Sequence, residues 1–322
     1  MKVRVLGVPS SWGTTGPGAR RTPAALRNAG IIDWLTEAGL AVDDGGDVPV
    51  APQDEDDHPG AEQVARVADV SRAVRKAAEV TLTDGRLPLL IGGECSLAIG
   101  AVAALAAQRG PLTIAWFDAH GDCNTPETSK SALVTGMPLA VALGRGHPQL
   151  TAIGAGAPRP DGAATFLIGG RDLDPGEVTN IMELGVRHLD TTTARAAGPE
   201  EVAMKVLGVP EIAVMPPEAR AMMSAADPSA AAALSAAPHP NVYLHFDVDV
   251  IDPDYAPGVY FGVPGGFDPS EIATLAGYLC AGGCVGALSI ASANLDNEVE
   301  GRTLAAIRDV VTSIADALSY IE

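Results

Sequence analysis

The sequence predicts an α/β protein built on a doubly wound parallel sheet with helices on both faces. Short apolar runs alternate with helix-length patterns along most of the 322 residues. The runs are almost continuously apolar, which is typical of parallel strands covered on both faces. Strand–helix alternation of this kind favours one parallel sheet. The predicted strands are Val3–Val8, Leu87–Ile91, Leu112–Phe117, Thr165–Ile168, Val242–Phe246 and Cys284–Ile290.

Seven segments between these strands have helical periodicity. Thr22-Pro23 and Asp174-Pro175 are typical of helix starts, because proline is favoured in the first turn. The predicted helices are Pro23–Ala38, Ala61–Thr83, Ser96–Gln108, Pro138–Leu143, Pro175–Leu184, Ser270–Leu279 and Leu304–Tyr320.

Residues 191–240 interrupt the alternation. They hold a helical stretch followed by AADPSAAAALSAAPHP, which is rich in Ala, Pro and Ser. We predict one domain over residues 1–322, with a helical or flexible insertion at about 191–240. The alternative is that this segment forms a lid over a site.

Composition and charge exclude several classes of function. The net charge of -19 leaves no basic footprint for nucleic acid and makes anionic membranes unfavourable partners. No apolar run reaches the roughly 18 residues of a spanning helix, and the N-terminus is typical of a strand rather than a signal peptide. Four cysteines in so long a chain predict no disulfide framework, and we expect Cys280 and Cys284 to pack in the core. A cytoplasmic protein that acts on a small molecule is therefore expected.

Two acidic segments follow predicted strands: Asp118-Ala119-His120-Gly121-Asp122 and Asp247-Val248-Asp249. Alternate residues of an extended segment point the same way, and open α/β sheets bind ligands at the carboxyl ends of strands. Four carboxylates and an imidazole in one pocket would repel one another without a cation. Five ligands suit two adjacent divalent ions better than one tetrahedral zinc. The pattern predicts a hydrolase whose nucleophile is a metal-bridging hydroxide; the alternative is a buried hydrogen-bond network.

Four blocks resemble, in order, the signatures of the ureohydrolase (arginase/agmatinase) family. They are GGECS at 92–96, DAHGDCNTP at 118–126, RDLDPGE at 171–177 and HFDVDVIDP at 245–253. The resemblance runs from about Val3 to the C-terminal helix. It implies a three-layer α/β/α fold with an eight-stranded parallel sheet, a binuclear manganese centre that hydrolyses a guanidino or related C–N bond, and assembly into homo-trimers or hexamers.

The resemblance also implies roles for individual residues. Its metal ligands fall on Asp118, His120, Asp122, Asp247 and Asp249. Asp118 and Asp247 match the bridging pair, and Asp122 would also orient the bridging hydroxide. Two Mn²⁺ ions are the expected cofactor, with Zn²⁺, Fe²⁺ or Co²⁺ as alternatives.

A substrate-binding set is implied in the same way. Asn124, Ser129 and Ser131 fall on positions that hold an amino acid's α-carboxylate, and Asp174 and Glu177 on those that hold its α-amino group. This set favours an α-amino acid over a decarboxylated amine such as agmatine. The alternative is that Asn124 belongs to a simple turn and that Asp174 is only a helix cap.

The sequence departs from the family pattern inside the site. Cys95 stands where the family has a histidine ligand, and either ligates as a thiolate or is a buried thiol beside a weakened first metal site. Thr135 replaces the general acid/base histidine, and threonine cannot shuttle protons near neutral pH. Ser292 replaces the glutamate that pairs with a guanidinium, and Phe261 replaces a threonine of arginases. Glu94 is expected to form structural hydrogen bonds.

These departures are similar to those of the Nω-hydroxy-L-arginine hydrolase branch. An N-hydroxyguanidine is more often neutral near pH 7, so it depends less on a carboxylate at position 292. The hydroxyl of the N-hydroxyguanidine could itself carry out the proton transfer that Thr135 cannot. The alternatives are arginase or agmatinase action, hydrolysis of a formimino, amidino or amide group, and a non-catalytic homologue. Metal-independent attack by Cys95 is a weaker hypothesis, because it needs a positioned base and His120 is already claimed as a ligand.

Overall fold

One eight-stranded parallel sheet forms the centre of the molecule. The computed structural model describes residues 1–53, 60–215, 217–227, 229 and 240–321. The strand order is β2-β1-β3-β8-β7-β4-β5-β6, and every neighbouring pair is parallel. The strands are β1 Lys2–Gly7, β2 Ala41–Asp47, β3 Leu87–Ile91, β4 Thr113–Phe117, β5 Thr165–Ile168, β6 Arg187–Leu189, β7 Val242–Asp247 and β8 Val285–Ala291. The predicted α/β class and the eight-stranded sheet are confirmed.

Helices cover both faces of this sheet and complete the three layers. Along β3, Leu89 and Ile91 pack into one apolar core and Leu90 into the other, so both faces are buried. The helices are Gly18–Ala29, Ile31–Glu37, Gln63–Thr83, Leu97–Arg109, Pro138–Ala142, Pro148–Thr151, Pro175–Leu184, Thr191–Ala197, Pro199–Leu207, Glu211–Val214, Pro217–Ala226, Pro269–Ala281 and Arg302–Ser319. None of the helices in the described ranges is long and apolar enough to cross a membrane.

The first helical region differs from the prediction of one helix over Pro23–Ala38. Two helices occupy it, separated at Gly30, whose φ of 100° is left-handed. The first already begins at Gly18, so Pro23 lies inside a helix and the predicted start at Thr22-Pro23 is wrong. Thr22 is buried and donates its hydroxyl to Ala293 O at 2.7 Å, an interaction that local sequence could not reveal.

The two outer strands lacked a strand signal in the sequence. β2 has the sequence AVDDGGD and is largely exposed, and β6 has only three residues. Edge strands need not be apolar, because only one long side is paired.

Four helices lie in the predicted insertion at 191–240. They are Thr191–Ala197, Pro199–Leu207, Glu211–Val214 and Pro217–Ala226. Val202, Val206 and Leu207 pack into the core, so this part of the segment covers the sheet. Residues 216, 228 and 230–239 of this segment lie outside the described residues, so the flexible stretch and the lid at 191–240 stay predictions.

The four central strands bring the chemical motifs together. β3, β8, β7 and β4 are neighbours, and their carboxyl ends open onto the same edge of the sheet. Cys95 follows β3 through the tight Gly92-Gly93 turn, Ser292 follows β8, and Asp118 follows β4. Asp247 is the last residue of β7.

Candidate metal centre

Two overlapping sets of metal-ligating atoms lie at this edge of the sheet. Within each set, the candidate ligand atoms lie within 4.8 Å of one another. One set contains Cys95, Asp118, His245 and Asp247, and the other contains Asp118, His120 and Asp249. Asp118 belongs to both, which suits a carboxylate shared by two adjacent ions.

Backbone and indole groups orient Asp118 directly after β4. Trp116 Nε1 donates to Asp118 Oδ2 at 3.0 Å, and the His120 backbone N–H donates to Oδ1 at 2.7 Å. Asp118 is almost fully buried, and burial together with the charge of Asp249 raises its pKa to about 6. These two hydrogen bonds fix the orientation of its carboxylate.

Asp247 and Asp249 converge through a turn rather than through an extended strand. Residues 248–250 form one turn of 3₁₀ helix after β7. The Asp249 backbone N–H donates to Asp247 Oδ1 at 2.8 Å, and the Ala119 N–H donates to Asp249 Oδ1 at 3.1 Å. The predicted convergence of these side chains is correct, but the turn produces it.

His120 lies between two carboxylates. Its Nδ1 is 3.1 Å from Asp249 Oδ2 and 3.4 Å from Asp118 Oδ1. Burial lowers the pKa of His120, but Asp249 and Asp118 outweigh that effect and raise it to about 12. Protonation of the ring would therefore offset part of the negative charge of the two carboxylates.

Asp122 approaches the cluster from a left-handed backbone conformation, with φ of 51°. Predicted as a metal ligand, it belongs to neither ligand set, but it lines the same cavity and its buried Oδ2 has no hydrogen-bond partner. Burial and the charges of Asp118 and Asp247 raise its pKa well above the usual range. An unpaired buried carboxylate oxygen is costly, so the site is short of a positive partner at this point.

Cys95 is buried against Asp247 and Ser292. Its Sγ donates to Asp247 Oδ2 at 2.8 Å and is 3.1 Å from Ser292 Oγ. Burial, followed by the charges of Asp122 and Asp247, raises the pKa of the thiol well above its usual value. Without a cation Cys95 is therefore a thiol, and only a metal ion would favour the thiolate.

A cavity of about 440 Å³ opens above these side chains, which is large enough for an amino acid. The predicted residues Asn124, Ser131, Asp174 and Glu177 line it, whereas Ser129 does not. Ser129 Oγ instead accepts from Ala132 N at 3.0 Å and stabilises its own loop.

Asp174 and Glu177 also form the capping box that begins the helix Pro175–Leu184. Glu177 Oε2 accepts from Asp174 N at 3.2 Å, and Oε1 accepts from Cys123 N at 3.0 Å. Burial raises the pKa of Glu177 to about 7. The cap interpretation of Asp174 is thus confirmed, but Asp174 Oδ1 also faces Lys130 Nζ at 2.6 Å.

The comparisons with known proteins agree with this geometry. The model of the arginase family matches residues 1–315. This chain belongs to the arginase family. The arginase of Bacillus caldovelox is 34% identical over 272 residues, which are 84% of this chain and 83% of that protein.

Solved structures give the same result for the fold. The native arginase structure from Bacillus caldovelox has a TM-score of 0.81 at 29% identity, covering 99% of this chain and 98% of that one. Proclavaminate amidino hydrolase from Streptomyces clavuligerus has a TM-score of 0.70 at 22% identity, covering 99% of this chain and 92% of that one, and shows the fold alone. The protein is a metal-dependent hydrolase of non-peptide C–N bonds, and its family uses a binuclear centre, typically of manganese.

The departures from the arginase-family pattern all lie in one cavity. Thr135, Ser292 and Phe261 line it together with Cys95. The Glu94 carboxylate accepts from Gly13 N at 3.2 Å, from Ser96 N at 2.9 Å and from Ser96 Oγ at 2.5 Å. Glu94 is therefore a structural hydrogen-bonding residue, as predicted.

Phe261 forms the wall of the cavity above His120. The two rings meet edge to face, with centroids 6.2 Å apart. Phe261 is 44% exposed, so it borders the mouth of the cavity. An aromatic ring here narrows access to the second ligand set.

His245 is a member of the first ligand set that the sequence analysis missed. In NVYLHF it resembles an ordinary core position of a buried strand. Burial lowers the pKa of His245 to about 3, so its ring is neutral. The available signal was the two-residue period of β7, which places His245 on the same face as Asp247.

Proposed function

We propose that this chain hydrolyses the guanidino-type C–N bond of an α-amino acid at a centre of two Mn²⁺ ions, with Nω-hydroxy-L-arginine as its substrate. The observation that carries the proposal is the pair of ligand sets sharing Asp118 at the floor of an amino-acid-sized cavity. The departures from the family pattern at Thr135 and Ser292 favour Nω-hydroxy-L-arginine over L-arginine as the substrate.

The residues present fit two divalent cations. Buried carboxylates dominate both sets, and Asp122 Oδ2 has no hydrogen-bond partner. Burial, followed by the charges of Asp249 and Asp118, raises the pKa of Asp247 well above its usual range, and cations would offset this crowding of negative charge. Carboxylate and imidazole donors suit Mn²⁺, while the soft Cys95 sulfur leaves Zn²⁺, Fe²⁺ or Co²⁺ as alternatives. When bound, such ions supply Lewis acidity and a water molecule of lowered pKa.

Asp118, which belongs to both ligand sets, is proposed to hold both ions. The family resemblance implies the same for Asp247, which lies in the first set only, and Cys95, His120 and Asp249 are proposed to hold one ion each. Asp122 lines the cavity with an oxygen free of protein partners, so it can orient an attacking water molecule. Because Thr135 has no titratable group near neutral pH, it does not serve as the proton carrier.

The far wall of the cavity suits the amino-acid end of the substrate. Asn124 and Ser131 present neutral donors for a carboxylate, and Asp174 presents an acceptor for an ammonium group. Lys130 already pairs with Asp174, so the α-amino group would have to displace it. A decarboxylated amine would have no carboxylate for Asn124 and Ser131 to bind, and would lose that part of the binding energy.

The absence of a carboxylate at position 292 supports the hydroxylated substrate. Ser292 lines the cavity at 9% exposure and is hydrogen-bonded to Cys95, so a guanidinium would meet a neutral hydroxyl. A neutral N-hydroxyguanidine avoids this unpaired charge. Its hydroxyl can also carry the proton that Thr135 cannot.

The test is steady-state hydrolysis by the Mn²⁺-loaded protein, with metal content measured on the same sample. We expect kcat/KM for Nω-hydroxy-L-arginine to exceed that for L-arginine by at least about tenfold, the value of one charged hydrogen bond. Agmatine should be poorer still. Faster hydrolysis of L-arginine would refute the substrate, and no turnover of any amidine by protein holding two ions would refute the hydrolase.

A further inference from the structure

His245 is a buried histidine for which the proposed reaction has no use. It lies on β7, two residues before Asp247, and is 0% exposed. Its Nε2 is buried and has no hydrogen-bond partner. A buried polar atom without a partner is costly and rare, so this nitrogen requires explanation.

A ring nitrogen of His245 faces the first metal position. It lies within 4.8 Å of Cys95 Sγ and of carboxylate oxygens of Asp118 and Asp247. One of its two ring nitrogens therefore belongs to a cluster whose other members are already candidate ligands, and Nε2 is the nitrogen without a protein partner. This arrangement places an imidazole beside the cysteine that stands where the family has a histidine.

The ring is held in a fixed orientation. It stacks on Trp116 with centroids 3.8 Å apart and an interplanar angle of 25°. Nδ1 and Ser289 Oγ are 2.7 Å apart, and Tyr243 Oη is 2.7 Å from the same oxygen. When Nδ1 donates to Ser289, the lone pair is left on Nε2, which is the usual arrangement of a metal-ligating histidine.

Charge balance favours a neutral ligand at this position. The site contains four buried carboxylates, those of Asp118, Asp122, Asp247 and Asp249. Together with a Cys95 thiolate they would carry five negative charges, against the four positive charges of two divalent ions. An imidazole adds a donor atom without adding charge, whereas a further carboxylate or thiolate would worsen the imbalance.

We propose that His245 ligates, through Nε2, the metal ion held by Cys95, Asp118 and Asp247. This inference rests on the binuclear centre proposed above. It assigns an imidazole to the first ion from β7 rather than from the turn after β3. Ser289 is then the positioning residue that orients the ring.

The experiment measures metal binding rather than turnover. Co²⁺ and Mn²⁺ are titrated by calorimetry into the metal-free wild type and three variants, and the Co²⁺ absorption spectrum is recorded. His245→Phe keeps the aromatic stack on Trp116 but removes the nitrogen. Ser289→Ala removes only the orienting hydrogen bond, and His147→Ala is the matched control, a histidine outside both ligand sets.

We expect two ions in the wild type, with one of them bound at least about 100-fold more weakly by His245→Phe and about tenfold more weakly by Ser289→Ala. The Co²⁺ spectrum of His245→Phe should change, and that of His147→Ala should not. Two ions bound by His245→Phe with wild-type affinity would overturn the His245 inference and leave the proposed function intact. If the wild type binds only one ion, and His245→Phe binds it more weakly, the binuclear centre is overturned but His245 as a ligand is supported. If the wild type binds no ion, both are overturned.

A second measurement on the wild type does not depend on any variant folding. The chain has six histidines, and ¹⁵N-histidine labelling makes their ring nitrogens visible by NMR. The His245 ring is recognised by its Overhauser contacts to Trp116. Addition of Zn²⁺ should shift His245 Nε2 strongly, and an unchanged His245 signal beside a shifted His120 would overturn the inference.

Discussion

At the residue scale, Ser292 sets the charge that the substrate meets beside the first metal position. The residue has a left-handed φ of 62°, and its hydroxyl contacts Cys95 Sγ at 3.1 Å. The selectivity is the kcat/KM for L-arginine divided by the kcat/KM for Nω-hydroxy-L-arginine. Ser292→Glu should raise this selectivity ratio by about 10- to 100-fold. The reason is that a charged hydrogen bond to a guanidinium contributes about 1.5–3 kcal/mol.

The matched control is Ser292→Gln, which has nearly the same shape as the glutamate but no charge. It should leave the ratio within about threefold of the wild type, since a neutral amide cannot form the ion pair. Metal content is measured for both variants, because Ser292 is close to Cys95. An equal change in the selectivity ratio of both variants would mean that the size of the side chain at position 292, and not its charge, determines the preferred substrate.

Lys130 is the residue that competes with the substrate's α-amino group for Asp174. Its Nζ lies 2.6 Å from Asp174 Oδ1, and the side chain is 73% exposed. Lys130→Ala should lower KM for an α-amino acid by about two- to fivefold without changing kcat, because an exposed ion pair is weak but must be broken on binding.

Lys130→Arg keeps the charge and should keep KM near the wild-type value. Asp174→Asn should have the opposite effect and raise KM, because the acceptor for the ammonium group is weakened. A higher KM for Lys130→Ala would show instead that Lys130 itself contacts the substrate, for example its carboxylate. Initial rates across a range of substrate concentrations distinguish these outcomes.

At the element scale, the turn after β3 determines where Cys95 sits. Gly92 has φ of 81°, and a Cβ there would lie 2.3 Å from Pro23 Cδ. Gly92→Ala should lower the free energy of unfolding by about 2–5 kcal/mol, combining about 1–2 kcal/mol for a left-handed residue with about 1–3 kcal/mol for overpacking. Urea unfolding of the metal-free protein measures the loss.

Gly85→Ala is the control for the backbone contribution. Gly85 also has a left-handed φ, of 68°, but nothing lies within 4 Å of its added Cβ. Gly85→Ala should lower the free energy of unfolding by only about 1–2 kcal/mol. Equal losses at the two positions would mean that Pro23 moves aside and that the turn tolerates a side chain.

The elements that sequence reasoning missed are those whose structure depends on distant contacts. The six inner strands were predictable because burial on both faces makes them continuously apolar. β2 and β6 were not, because their single paired side leaves polar residues such as Asp43 and Arg187 acceptable. The helix around Pro23 was mispredicted because Thr22 is held by Ala293, far away in the chain.

Some residues of the site could be predicted from the sequence, and others could not. Asp118 and Asp247 were predictable from strand ends, since parallel strands share an edge. His245 was not singled out, because a histidine inside an apolar strand is usually a satisfied core residue. Only the packed structure shows that its Nε2 has no partner and that a ring nitrogen lies within 4.8 Å of Cys95 Sγ.

At the scale of the whole molecule, the buried acidic cluster makes stability depend on cations. The chain carries a net charge of -19, and Asp118, Asp122, Asp247 and Asp249 are all buried at one edge of its sheet. Ligands that bind only the folded state stabilise it by mass action, by about 2.7 kcal/mol per site at a concentration 100-fold above Kd. Two sites would therefore contribute about 5 kcal/mol.

We thus expect saturating Mn²⁺ to raise the midpoint of thermal unfolding by roughly 10 °C over the chelated protein, at about 2 °C per kcal/mol for a chain of this size. Asp118→Asn should lose most of this rise, because Asp118 is the carboxylate common to both ligand sets. Ca²⁺ at equal ionic strength controls for screening of the general negative charge. Equal midpoints in Mn²⁺ and in chelator would mean that the folded chain does not bind the ions under these conditions, and would contradict the proposed centre of two Mn²⁺ ions.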